Sequence, residues 1–198
     1  GDDEALPKVE HVTGAPLSPY AASKVANELY AEVFARCYGM QTVGMRYFNV
    51  FGPRQDPEGA YAAVIPRWIR AMLTGDPVEV NGDGETSRDF CHIANVVQAN
   101  LRAALTDDPL ALNQVYNIAV GESTSLSELL EILRSLLGRN FQPVYRPFRP
   151  GDVRHSPADI SRSRELLGYA PTHTLASGLR ESLSWYVNRF AGASALQR

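Results

Sequence analysis

The chain has 198 residues, 44% of them apolar and 21% charged, the make-up of a globular protein that can bury a real core. Nineteen basic residues stand against 22 acidic ones, for a net charge of -3. No long basic run occurs, which argues against a nucleic-acid partner. No apolar run is long enough to span a bilayer, and the opening Gly1-Asp2-Asp3-Glu4 is acidic rather than signal-like, so the sequence reads as a cytoplasmic protein.

The first eighteen residues, with Pro7, Gly14 and Pro16, read as an irregular lead-in. Ser18 can then accept hydrogen bonds from the free N–H groups of a helix start, and Pro19 sits where its missing N–H costs nothing. A long helix is expected to about Tyr38, stopped by Gly39. Val25, Leu29, Val33 and Cys37 form one apolar stripe on it, and Ala22, Ala26, Tyr30 and Phe34 a second. Two such faces predict packing on a sheet and on another surface, such as a second subunit.

Thr42 to Phe48 reads as a buried strand that enters a loop at Asn49, with Gly52-Pro53 marking the turn. A helix near Val64 to Leu73, a strand Val78 to Val80, a tight turn from Asn81 to Gly84 and a helix from Ile93 to Leu105 follow. Val115 to Val120 is a second buried strand, and Leu126 to Leu137 an amphipathic helix after a Ser123/Ser125 start whose Leu130, Leu133 and Leu137 face the core. A strand Pro143 to Tyr145 and helices over Asp159 to Leu167 and Ala176 to Phe190 complete the set. The mixture is α/β, with a smaller α+β second half. Cys37 and Cys91 lie in apolar-patterned segments without a pairing motif and are expected as buried free thiols. The four histidines show no ligand spacing, so no metal site is expected.

Tyr20 and Lys24 stand four apart on the first helix, so their side chains share a face. An ammonium beside a phenol favours the phenolate, which turns tyrosine into a base. Because Lys8 and Lys24 are the only lysines of the chain, such a pair arises by chance only about one time in ten.

The pair keeps specific company. Ser18-Pro19-Tyr20-Ala21-Ala22-Ser23-Lys24 is followed by Arg46-Tyr47-Phe48-Asn49-Val50-Phe51-Gly52-Pro53, then by Ala63 to Pro66, Gly82 to Phe90, Tyr116 to Ala119 and Arg149-Pro150-Gly151-Asp152-Val153. In that order, and over nearly the whole chain, these stretches resemble the extended short-chain dehydrogenase/reductase (NAD-dependent epimerase/dehydratase) family. The segment from Phe51 to Pro66 looks most similar to the 4-epimerases acting on UDP-N-acetylglucosamine or its uronic acid.

The resemblance implies the C-terminal part of a Rossmann-type parallel sheet over residues 1–60, carrying the Tyr/Lys helix. Residues 61–198 then form mainly a nucleotide-sugar-binding subdomain, with some elements returning to the sheet. It implies NAD as cofactor, with Tyr20 taking the proton of the sugar 4-hydroxyl, Lys24 on the nicotinamide ribose and Phe48 beside the nicotinamide. For the UDP-sugar it implies Arg88 and Arg149 on the diphosphate, where guanidinium forks suit a compact anion. Asn49 is expected on phosphate or sugar, Asp152 on the ribose hydroxyls, and backbone at Ala63 and Val64, with Asn81 and Gln55, around the remainder. Read without the resemblance, Arg88-Asp89 is a surface ion pair and Asn49 a strand-end cap.

The sequence departs from the family in one respect. No Gly-x-Gly-x-x-Gly follows a strand in these residues, and the catalytic Ser or Thr that the family places before the Tyr is not found. The 198 residues are therefore expected to be a fragment, or one of two complementary chains, without epimerase activity alone. The full-length form is expected as a homodimer. A 4,6-dehydratase or decarboxylase would share Tyr20 and Lys24, and a non-catalytic nucleotide-sugar-binding module would keep the arginines.

Overall fold

The computed structural model describes residues 3–58, 63–148 and 153–194. Its elements run α1 (Pro19–Tyr38), β1 (Val43–Tyr47), β2 (Val50–Phe51), α2 (Val64–Thr74), β3 (Val78–Asn81), β4 (Ser87–Arg88), β5 (Cys91–His92) and α3 (Ile93–Leu105). They continue with β6 (Gln114–Ile118), β7 (Thr124–Ser125), α4 (Leu126–Leu137), β8 (Pro143–Arg146), β9 (His155–Ser156), α5 (Ser161–Leu167) and α6 (Leu175–Ser194). The expected long helices and strands are present, within one to four residues at their ends. Five two-residue strands were not anticipated, because two residues are too few to show a period of two.

Pairing is mostly parallel: β1 with β6, β2 with β5, and β3 with β8. Strand β4 lies between β7, antiparallel, and β9, parallel. Two cores result. One packs α2, α4 and α6 around Phe51, Trp68, Ile69, Val80, Leu129, Leu133, Leu179 and Tyr186. The other surrounds β6 with Cys91, Val96, Tyr116, Ile118, Ile160 and Tyr169.

Local chemistry explains the sharpest boundaries. Ser125 caps α4 through a complete capping box with Glu128, so Ser125 rather than Ser123 starts it. Gly39, Gly75 and Gly138 each close a helix in the left-handed conformation. Gly178 on α6 answers to space instead: an added Cβ would meet His92 Cβ at 2.8 Å and Phe51 Cζ at 2.9 Å. Gly178→Ala is expected to lower stability by about 1–3 kcal/mol, read by urea unfolding, because this contact cannot be relieved without moving α6 off β5.

Two expectations are corrected. Cys91 is a buried free thiol, but Cys37 is exposed. Helix α1 buries none of its residues, so neither of its apolar stripes is covered among the described residues. Its fastening is polar instead: the Arg46 guanidinium on β1 donates to both carboxylate oxygens of Glu28, at 2.8 and 2.7 Å, and to Glu10 O at 2.9 Å. The contacts that would cover those stripes are with surfaces that α1's own period cannot specify.

Candidate functional site

A cavity of about 260 Å³ opens where the β1–β2 junction, the start of α2, the end of β3 and strand β4 converge. Five of the expected substrate-binding residues, Asn49, Ala63, Val64, Asn81 and Arg88, line it, together with Phe51, Trp68, Glu79, Thr86 and Phe90. Each is held by its own element. Asn49 has φ of 29°, a left-handed conformation that asparagine tolerates, and its Nδ2 donates to Asp89 O at 3.2 Å. Trp68 Nε1 donates to Glu79 O at 2.9 Å, tying α2 to β3. Gly82 turns the chain after Asn81 with φ of 84°, where a Cβ would strike the Phe148 ring at 2.2 Å.

The start of α2 is chemically open. Ala63 occupies the cap position without a side-chain hydrogen bond, so no side chain caps the first N–H groups of the helix, and Ala63, Val64 and Ile65 all line the cavity. A helix N-terminus of this kind favours an anion. Across the cavity stands Arg88 on β4, whose Nη1 donates to Ser87 O at 2.9 Å and Arg154 O at 3.2 Å.

Asp89 is not half of a surface ion pair. It is fully buried, and its carboxylate accepts backbone N–H groups from Val120 at 2.9 Å, Gly121 at 2.8 Å and Glu122 at 3.1 Å. Burial pushes the carboxyl above its usual range, against the pull of those donors. The strand carrying Arg88 is thereby bolted to the loop after β6. A charge held by backbone donors 31 to 33 residues further along the chain leaves no signal in sequence spacing.

The remaining expected residues lie elsewhere. Ser18 Oγ accepts from Ala21 N at 3.1 Å to start α1, and Lys24 Nζ stands 5.2 Å from the Tyr20 ring centroid. Both side chains are on the exposed helix, with Tyr20 57% accessible, and neither lines the cavity. Phe48 is half-buried against the second core, its N–H donating to Ile118 O at 3.1 Å. Gln55 Nε2 donates to Val50 O at 2.9 Å, which fixes the amide orientation, and leaves Oε1 buried without a hydrogen-bond partner among the described groups. Arg149 and Asp152 fall outside the described residues. Trp68 and Glu79 were missed by sequence reasoning, whereas Thr86 and Phe90 lay inside the quoted Gly82 to Phe90 stretch.

A family model described as the NAD dependent epimerase/dehydratase family matches residues 1–119. The UDP-glucose 4-epimerase of Mycolicibacterium smegmatis is 35% identical over 189 residues, covering 96% of this chain and 59% of its own. Among solved structures, the UDP-N-acetylglucosamine 4-epimerase of Methanobrevibacter ruminantium, in complex with UDP-N-acetylmuramic acid, superposes with TM-score 0.89 at 40% identity, covering 96% of this chain and 60% of its own. The UDP-glucuronic acid 4-epimerase of Bacillus cereus, solved with UDP-glucuronic acid and NAD, gives TM-score 0.86 at 29% identity over 95% and 58%. The chain thus spans about three-fifths of the length of these relatives.

Proposed function

This chain belongs to the NAD dependent epimerase/dehydratase family, and from that premise we propose that it carries the UDP-sugar site and the Tyr/Lys pair of a UDP-sugar 4-epimerase. The observation that carries the reading is the cavity on which Asn49, Ala63, Val64, Asn81 and Arg88 meet. An uncapped helix start and an arginine facing one space suit a diphosphate. Asn81 and the β3 backbone then lie toward the base and ribose, with Arg149 and Asp152 completing the set.

Gln55 bears on the sugar. Its amide is oriented by the bond to Val50 O, so its orphan Oε1 awaits a donor, and a 2-acetamido N–H or a sugar hydroxyl supplies one.

NAD, when bound, supplies the oxidant that makes C4 planar and then the reductant that restores it. Tyr20 removes the 4-hydroxyl proton and returns it, Lys24 meets the nicotinamide ribose, and Phe48 flanks the ring. The exposed face shared by Tyr20 and Lys24 fits that task. In this reading residues 1–60 belong to the dinucleotide-binding part and 61–198 mainly to the sugar-nucleotide part, and two copies pair through α1.

Arg88→Ala is expected to weaken UDP-N-acetylglucosamine binding ten- to a hundredfold, about 1.5–3 kcal/mol, measured by titration calorimetry on the 198-residue chain. Equal affinity of the variant and the parent would remove Arg88 from the diphosphate and with it the placement of the site.

A further inference from the structure

His92, His173 and Glu181 come from the β5–α3 junction, the loop before α6, and α6 itself, yet their nitrogen and oxygen ligand atoms all lie within 4.8 Å of one another. His92 is buried, with its ring between Phe51 at 5.3 Å and His173 at 4.8 Å, centroid to centroid. Its Nδ1 accepts the Ala94 N–H at 3.4 Å and so caps α3, while Nε2 faces Ser182 Oγ of α6 at 3.1 Å. His173 Nε2 pairs with Glu181 Oε2 at 2.8 Å, and its Nδ1 with Thr172 Oγ1 at 2.9 Å.

The two bonds of His92 assign its hydrogen. With Nδ1 accepting, Nε2 carries the proton and donates to Ser182. Coordination of a metal by Nε2 would strip that proton and leave the ring without one, or would move it to Nδ1 against the Ala94 N–H. The cluster is therefore organised around a neutral imidazole rather than a metal ion. A second proton has only Nδ1 to go to, and there it destroys the α3 cap and places a cation at the positive end of the α3 dipole.

We propose that His92 is a proton-operated joint: neutral, it caps α3 through the Ala94 N–H and donates to Ser182 of α6, and protonated, it keeps the Ser182 bond but loses the α3 cap and leaves a buried imidazolium against α6. The contacts around it concentrate the effect. Gly178 of α6 lies against the His92 ring, and Tyr186 of the same helix donates to Gly52 O at 2.7 Å. Phe51, its ring tilted against that of His92, is also a wall of the cavity. The charged groups facing His92 are His173, which opposes its protonation, and Glu181, which favours it. Burial is the larger influence, and the balance holds His92 below the ordinary histidine value. The neutral form is the folded one, so stability from this joint is complete above about pH 6.5 and is lost as pH falls below that value.

The test is independent of any epimerase activity. Amide hydrogen exchange, corrected for its intrinsic pH dependence, is followed at Ala94 and along α6 from pH 7.5 to 5.0, while the His92 ring is titrated by NMR. Opening is expected to grow about tenfold per pH unit below ~6.5 until His92 titrates in the folded state. His92→Asn keeps a cap acceptor without a titrating ring and should abolish that dependence. At the surface, His173→Gln should raise the His92 midpoint and Glu181→Gln should lower it. A His92 midpoint at or above the ordinary value, protection in α3 and α6 that ignores pH, or midpoints that both variants leave unmoved would overturn the proposal.

Discussion

Replacing Tyr20 by Phe is expected to lower 4-epimerisation about a thousandfold, the scale of a lost general base. The enzyme to use joins these 198 residues to the portion of the Methanobrevibacter ruminantium epimerase that the alignment leaves unmatched. In the proposed reading the phenol oxygen takes the 4-hydroxyl proton, and the Lys24 ammonium lies 5.2 Å from the Tyr20 ring centroid. Phe removes only the oxygen, and Tyr20 is exposed on a helix that buries no residue, so stability should not change. Binding of the UDP-sugar should also survive, since Tyr20 does not line the cavity. The loss therefore falls on kcat with KM retained. The 198 residues alone should convert nothing, because they contain no glycine-rich turn to receive a dinucleotide pyrophosphate. Full activity of Tyr20→Phe would assign the proton to another group. Release of water or carbon dioxide by the joined polypeptide would keep the family and replace the reaction.

How much of this was legible in the sequence depends on the reach of each interaction. The bounds of α3 and α4 were readable because their signals are local: an apolar period and, for α4, a Ser125/Glu128 box three residues apart. The cavity residues were readable only through ordered motifs, since nothing in the spacing of Asn49, Val64, Asn81 and Arg88 says that they face one another. The face of α1 was half-legible: its stripes are real, but exposure of Leu29, Tyr30 and Phe34 is decided by what lies opposite, which helix periodicity does not encode. The histidines illustrate the limit. Scattered in sequence, His92 and His173 meet in space, their ring centroids 4.8 Å apart, because α6 folds back over β5, a tertiary fact with no local trace. Asp89 left no local trace either: without the resemblance its neighbour Arg88 is the obvious partner, whereas its hydrogen-bond donors lie past β6.

Asp89→Ala is expected to cost about 3–5 kcal/mol in urea unfolding, because three backbone donors lose their acceptor at a fully buried position. An asparagine at the same position tests the cause. Its single carbonyl oxygen can serve Gly121 and Glu122, but its amide hydrogens then confront the Val120 N–H, so roughly half the loss should remain. Both variants free the loop after β6 from the strand carrying Arg88, and UDP-sugar affinity should fall with stability, whereas Arg88→Ala lowers affinity alone. The pH dependence separates this bolt from the His92 joint. Burial raises the Asp89 carboxyl above its usual range, so its ionised form is the disfavoured one in the fold. Its contribution is greatest below the ordinary carboxylate value and declines as pH rises through the raised one. The pH dependence of the Asp89 site thus runs opposite to that of the cap at His92, held below the ordinary histidine value. Loosening between pH 6.5 and 5.0 should accordingly begin at α3 and α6 and spare the loop from Val120 to Glu122, an order that site-resolved hydrogen exchange can read directly; loss of protection at that loop first would reverse the assignment.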